Sequence, residues 1–122
     1  MKIEGPGVRL TIYTGESDQY HHKPLYHEII ERARRQGMAG ATVLRGIEGF
    51  GASTRLRTSR VLSLSEDLPI IIELVDRPDR IEAFLPHLEQ LIEEGLVVRE
   101  SVHIVAYRGR GGDEDGQAGG EG

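Results

Sequence analysis

From Val8 to Tyr13 the side chains alternate, with Val8, Leu10 and Ile12 apolar and Arg9, Thr11 and Tyr13 between them. A period of two predicts a strand with one face in a core. After a polar loop at residues 14–22, the spacing changes. Leu25, Ile29, Ile30, Ala33 and Met38 recur at helical intervals, Pro24 suits the first turn, and Gly37 supplies a stop. Glu28, Glu31, Arg32, Arg34 and Arg35 form the solvated side of that helix. Ala41 to Ile47 reads as a second strand, and Val61 to Leu64 as a short one. The run Pro69 to Val75 is apolar except for Glu73, as expected for a central strand covered on both faces. Asp76 is placed to cap the next helix, with Pro78 in its first turn and Asp79 near its positive end. Ile81, Phe84, Leu85, Leu88, Leu91 and Ile92 give a helical stripe that ends before Gly95. In the last predicted strand, Leu96 to Tyr107, Val98, Val102, Ile104 and Ala106 share one face. Val97, Arg99, Ser101, His103, Val105 and Tyr107 share the other.

The order β-α-β-β-α-β predicts an α+β, ferredoxin-like sandwich, an antiparallel four-stranded sheet with two helices on one face. The second sheet face is then uncovered. Its expected occupants include Thr11, Tyr13, Ile71, Glu73, Val97, Val105 and Tyr107, a set apolar enough to predict burial by further copies of the chain. Residues 1–7, with Pro and Gly among charges, read as a frayed lead-in to a single domain at 8–108. Seven of the fourteen residues from Gly109 to Gly122 are glycine and none is large and apolar, so this tail is expected to be disordered.

Composition narrows the function classes. The chain has 122 residues and no Cys, which excludes a disulfide framework. No apolar run approaches the roughly 18 residues of a bilayer span, so direct membrane insertion is not expected and a cytoplasmic location is. Of the net charge of -5, the tail holds -3, Arg110 against Asp113, Glu114, Asp115 and Glu121, leaving -2 on residues 1–108. A body so close to neutral does not suit extended phosphate contacts, and no nucleic-acid partner is expected. An RNA-binding sheet would need exposed aromatics, for which Tyr13 and Tyr107 are the only candidates.

The candidate chemistry lies in Arg45-Gly46-Ile47-Glu48-Gly49-Phe50-Gly51 and the basic stretch that follows. Glycines there permit close backbone approach to a ligand or another chain. Ser53, Thr54, Arg55, Arg57 and Arg60 offer hydroxyl and guanidinium groups to an oxyanion or an acidic partner. The competing reading is a charged hairpin that resists edge-to-edge pairing. Arg45 is expected to pair with Glu73 as a structural contact between neighbouring strands. Tyr20, His21, His22 and His27 lack ligand spacing, so no metal is expected, and His103 reads as a structural histidine. There is no thiol, no Asn and no Ser-His-Asp pattern, and the chain is not read as an enzyme.

Gly37-Met38-Ala39-Gly40-Ala41-Thr42-Val43, Arg45-Gly46-Ile47, Gly49-Phe50-Gly51 and Asp67-Leu68-Pro69 together resemble the PII-like proteins of domain-of-unknown-function family 190, over about residues 8 to 107. That family is distantly similar to the PII nitrogen-regulatory proteins. The resemblance implies a homotrimer, an adenine nucleotide bound between subunits, and a loop that meets a regulated protein such as a transporter or enzyme. It assigns Thr42, Gly49, Phe50 and Gly51 to the ligand site and residues 52–60 to the partner loop. Two departures stand out. Ala52-Ser53 replaces an Arg-Gln pair, and Glu93-Glu94-Gly95 stands where the PII phosphate loop is glycine-rich and basic. The expected function is a signalling module that binds a small anionic ligand, with a ligand-free structural or interaction trimer as the alternative.

Overall fold

Every second residue from Val8 to Thr14 turns inward, and this alternation builds the centre of the sheet. The computed structural model describes residues 1–52, 67–110 and the backbone of 57–58. Strand β1 runs Lys2–Gly15 and is followed by a small hairpin, β2 Gln19–Tyr20 and β3 Lys23–Pro24. Helix α1 is Leu25–Arg35 and strand β4 is Thr42–Arg45. A second small hairpin pairs β5, Glu48–Gly49, with β6, Arg57–Thr58. Strand β7 is Pro69–Asp76, helix α2 is Pro78–Leu91 and strand β8 is Leu96–Arg108. The main sheet has the order β4-β7-β1-β8, every pairing antiparallel, which is the ferredoxin-like arrangement.

The core is one layer between the helices and one sheet face. Val8, Leu10, Ile12, Ile70, Ile72 and Leu74 meet Leu25, Ile29 and Ala33 of α1 and Ile81, Phe84, Leu88 and Leu91 of α2. Strand β7 alternates strictly, its even residues buried and Ile71, Glu73 and Val75 half-buried, so helices cover one face of it rather than two. Helix α1 ends in a glycine-dependent cap. Gly37 adopts φ +75°, its N–H donates to Arg34 O, and the Met38 N–H reaches back to Ala33 O.

Four further expectations change. Residues 2–7 are not a frayed lead-in but the first half of β1, where Lys2 pairs with Arg108 and Ile3 with Tyr107. Strand β7 parts from β1 beyond Val8, which leaves one edge of this half unpaired and able to hold Pro6. A register shift between Ile3 and Gly5, with Gly5 at φ +102°, then buries Ile3.

The faces of β8 are the reverse of those expected. Directly paired residues share a face, and Val97 lies opposite Ile12 whereas Val98 lies opposite Thr11. Arg99 reaches Glu82 of α2, and the Tyr107 hydroxyl bonds the carbonyl of Ala39 beyond α1. The open face is therefore made by Leu96, Val98, Glu100, Val102 and Ile104 together with Tyr13, Thr11, Ile71, Glu73 and Leu44. Val97, His103, Val105 and Tyr107 belong to the helix side.

Asp76 does not cap α2. The N-cap is Arg77, and the fully buried Asp76 carboxylate accepts from the Arg77 and Ala39 N–H groups at 2.7 and 2.8 Å. It joins the end of β7 to the turn after α1. Finally, Arg45 does not pair with Glu73. Thr42 is the residue opposite Glu73, and Arg45, opposite Ile70, lies too far along β4 and turns instead to Glu16 at 2.6 Å. The strand expected at 61–64 and the tail beyond residue 110 lie outside the described residues.

Candidate site at the base of the glycine loop

Strand β4 ends where Gly46 takes over, its N–H donating to Pro69 O at 2.8 Å. Close approach to Pro69 explains two glycines. A Cβ at Gly46 would stand 3.4 Å from the proline ring and one at Gly49 would stand 3.1 Å from Pro69 Cγ. With the backbone pressed against Pro69, Phe50 projects away from the core and is 77% exposed. Phe50, Gly51 and Ala52 then form one wall of an open cleft of about 150 Å³, whose other walls are Tyr13, Thr14, Pro69 and Leu96. The lining is mostly apolar. Thr14 is its buried exception, and the Thr14 Oγ1 has no hydrogen-bond partner among the described residues.

Of the expected ligand residues, the structure brings Phe50 and Gly51 to this cleft. Gly49 lies just behind it against Pro69. Thr42 is exposed at the other end of β4, on the open face beside Glu73, and does not line the cleft of a single chain. Ser53, Thr54, Arg55 and Arg60 lie outside the described residues, and Arg57 is described only as backbone paired with Gly49. Residues 13, 14, 69 and 96 were not singled out from the sequence as a ligand site. Thr14 carried a signal nonetheless, since it is a polar residue on the even-numbered, buried positions of β1.

The link after α2 behaves differently from its sequence implication. Glu93 and Glu94 line a separate cleft of about 150 Å³ with Asp18, Gln19, Leu25 and Leu91. Their carboxylates are not walls of the Phe50 cleft. Gly95 is held close by, and a Cβ there would meet Tyr13 O at 2.9 Å. On the open face, Arg9 donates to Glu100 at 2.8 Å across the strands, and this bond raises the Arg9 pKa further, with Glu73 adding a smaller attraction. The row Leu44, Ile71, Tyr13 and Leu96 crosses the whole sheet beside the cleft.

His21 and His22 adopt φ +50° and +69° in the tight turn between β2 and β3, with the His21 ring stacked on Tyr20. Both are exposed. No cluster of three or more metal-ligating side chains occurs among the described residues, and no described helix is long and apolar enough to cross a membrane.

The four-stranded order, the helices on one face and the glycine base after the second main strand define a PII-like fold. Solved structures agree. A Thermus thermophilus protein assigned to PII-like signalling superposes with a TM-score of 0.61 at 18% identity, covering 90% of this chain and 95% of its own. A nitrogen regulatory PII-like protein, CPII of Thiomonas intermedia, solved with ADP, AMP and bicarbonate, gives 0.54 at 18% identity over 81% and 88%.

Residues 7–104 match the DUF190 family, described as "Uncharacterized ACR, COG1993", and the chain belongs to that family. Its relatives include a UPF0166 protein of Methanocaldococcus jannaschii, 36% identical over 82% of this chain and 91% of the relative. A UPF0166 protein of Aquifex aeolicus is 33% identical over 79% and 90%.

Proposed function

We propose that the chain is a PII-like regulatory module, not an enzyme, which assembles as a homotrimer through its open sheet face. In this reading it binds an adenine nucleotide or a related small anion beside Phe50 and Gly51. Gly49 permits the close backbone approach, and Thr42 of a neighbouring copy completes the site between subunits. Ser53, Thr54, Arg55, Arg57 and Arg60 are presented to a protein partner, a transporter or an enzyme, in a cytoplasmic setting.

The observation that carries the proposal is the exposed Phe50 ring at the mouth of an apolar cleft shared with Tyr13 and Leu96. A planar base gains apolar contact and ring stacking there. CPII, of the same fold, was solved with ADP and AMP, which supports the choice of nucleotide. The separation of Glu93 and Glu94 from this cleft removes a direct repulsion of phosphate from its walls.

Calorimetry with AMP, ADP, ATP and cyclic nucleotides tests the ligand. Binding to at least one is expected, and the absence of both heat and thermal shift at millimolar concentration would overturn it. Replacing Arg55 and Arg57 by Ala should weaken partner binding while the oligomer persists. Collapse of the oligomer would make those arginines structural instead.

A further inference from the structure

The turn Gly15–Asp18 holds both boundaries of the Gly46–Glu66 segment through two consecutive side chains. Glu16 Oε2 lies 2.6 Å from Nη2 of Arg45, the last residue of β4. Ser17 donates to Asp67 Oδ1 from its N–H at 3.0 Å and from its hydroxyl at 2.7 Å. Backbone bonds run alongside, Glu16 N–H to Leu68 O and Gly46 N–H to Pro69 O, both 2.8 Å. The turn is itself closed, because Asp18 Oδ2 accepts the Gly15 N–H at 3.0 Å and the Asp18 N–H returns to Gly15 O at 3.1 Å. Immediately before it, Tyr13 and Thr14 are walls of the cleft opposite Phe50 and Gly51.

One turn therefore touches the cleft through β1 and touches both boundaries through its side chains. The Glu16 carboxylate is half-buried and faces the exposed Arg45 side chain, so removing its charge takes away the charged group that fixes that guanidinium. Ser17 is exposed and holds the other boundary, where one carboxylate oxygen of Asp67 accepts two bonds.

We infer that Glu16 and Ser17 are positioning residues that couple occupancy of the Phe50 cleft to the placement of Arg45 and Asp67, without touching the ligand. The inference rests on the nucleotide-binding reading. A nucleotide that binds better when the turn is closed must stabilise the closed turn by the same factor. Information about the cleft then reaches both boundaries of the segment by one short route.

Hydrogen exchange at the Gly46 and Glu16 amides tests this, with the Ala39 amide, bonded to Asp76, as an internal control. In the wild-type protein saturating ADP should slow exchange at Gly46 more than at Ala39. In Glu16→Gln and Ser17→Ala, ADP should still bind, but the slowing at Gly46 should fall by about 5-fold or more. The double exchange Glu16→Arg with Arg45→Glu should restore it. Equal slowing in wild type and both single variants overturns the coupling. Should wild type bind no nucleotide at all, the binding reading fails separately. The ligand-free comparison then decides whether Glu16 positions the boundary, since Glu16→Gln should speed exchange at Gly46 about 5-fold or more relative to Ala39. Unchanged exchange overturns that role.

Discussion

The Tyr107 hydroxyl donates to the carbonyl oxygen of Ala39 at 2.8 Å, across 68 positions of sequence. This bond joins the end of β8 to the turn after α1, and Asp76 holds the same residue by its N–H. Both polar groups of the Ala39 backbone are thus satisfied by side chains from other strands. Replacing Tyr107 by Phe should cost about 0.5–1.5 kcal/mol, the net worth of one hydrogen bond. Urea unfolding at fixed protein concentration measures it, and no loss of stability would show that water replaces the bond freely.

Gly95 sits at φ +150°, and a Cβ there would stand only 2.9 Å from Tyr13 O. The obstacle is backbone and cannot swing aside. Gly95→Ala should destabilise by about 1–3 kcal/mol, seen as a lower midpoint of thermal unfolding. Because Tyr13 lines the cleft, the variant should also weaken any ligand bound there.

Asp79 in the first turn of α2 accepts two bonds from Arg77, at 2.8 and 3.2 Å, and this pairing lowers its pKa below the ordinary carboxylate value. A depressed pKa in the folded chain means stability that is present above the unfolded value and lost as pH falls through the folded one. Asp79→Asn should therefore be less stable than wild type at neutral pH, with the difference disappearing in acid. Unfolding curves across that range check the sign. A gap that widened on acidification would contradict the pairing.

Ile71 lies on the open face, half-buried in the single chain and between Leu44 and Tyr13. Ile71→Lys should leave the subunit folded and place a charge in the proposed interface, shifting the protein to monomer in sedimentation equilibrium. An unchanged oligomer would locate the interface elsewhere.

The elements of this fold were legible because periodicity and stop signals agreed: the Val8 to Ile12 alternation, the α1 stripe ending at Gly37, and Pro78 opening α2. Faces were harder. Strand β8 carries Val97 and Val98 side by side, and Ile104 beside Val105, so hydropathy does not choose its inner side and only register against β1 does. In residues 1–7, Gly5 and Pro6 signal a turn, whereas β8 supplies a long partner strand that tolerates them. Arg45 was matched to Glu73 by charge, and an offset of three residues along β4 sends it to Glu16 instead. Phe50 and Gly51, which stand in the Gly-Phe-Gly motif, line the cleft. Thr14 and Leu96 reach the cleft only through tertiary proximity, which a linear pattern does not display.

The register shift at Gly5 means that β1 obeys two rules in succession. Glu4 and Leu10 are both even-numbered, yet Glu4 is exposed and Leu10 is buried, while odd-numbered Ile3 is buried. A substitution scan along the strand would thus show its tolerance pattern reverse phase between Gly5 and Val8. Inside and outside change places there, so the strand behaves as two short elements spliced out of step.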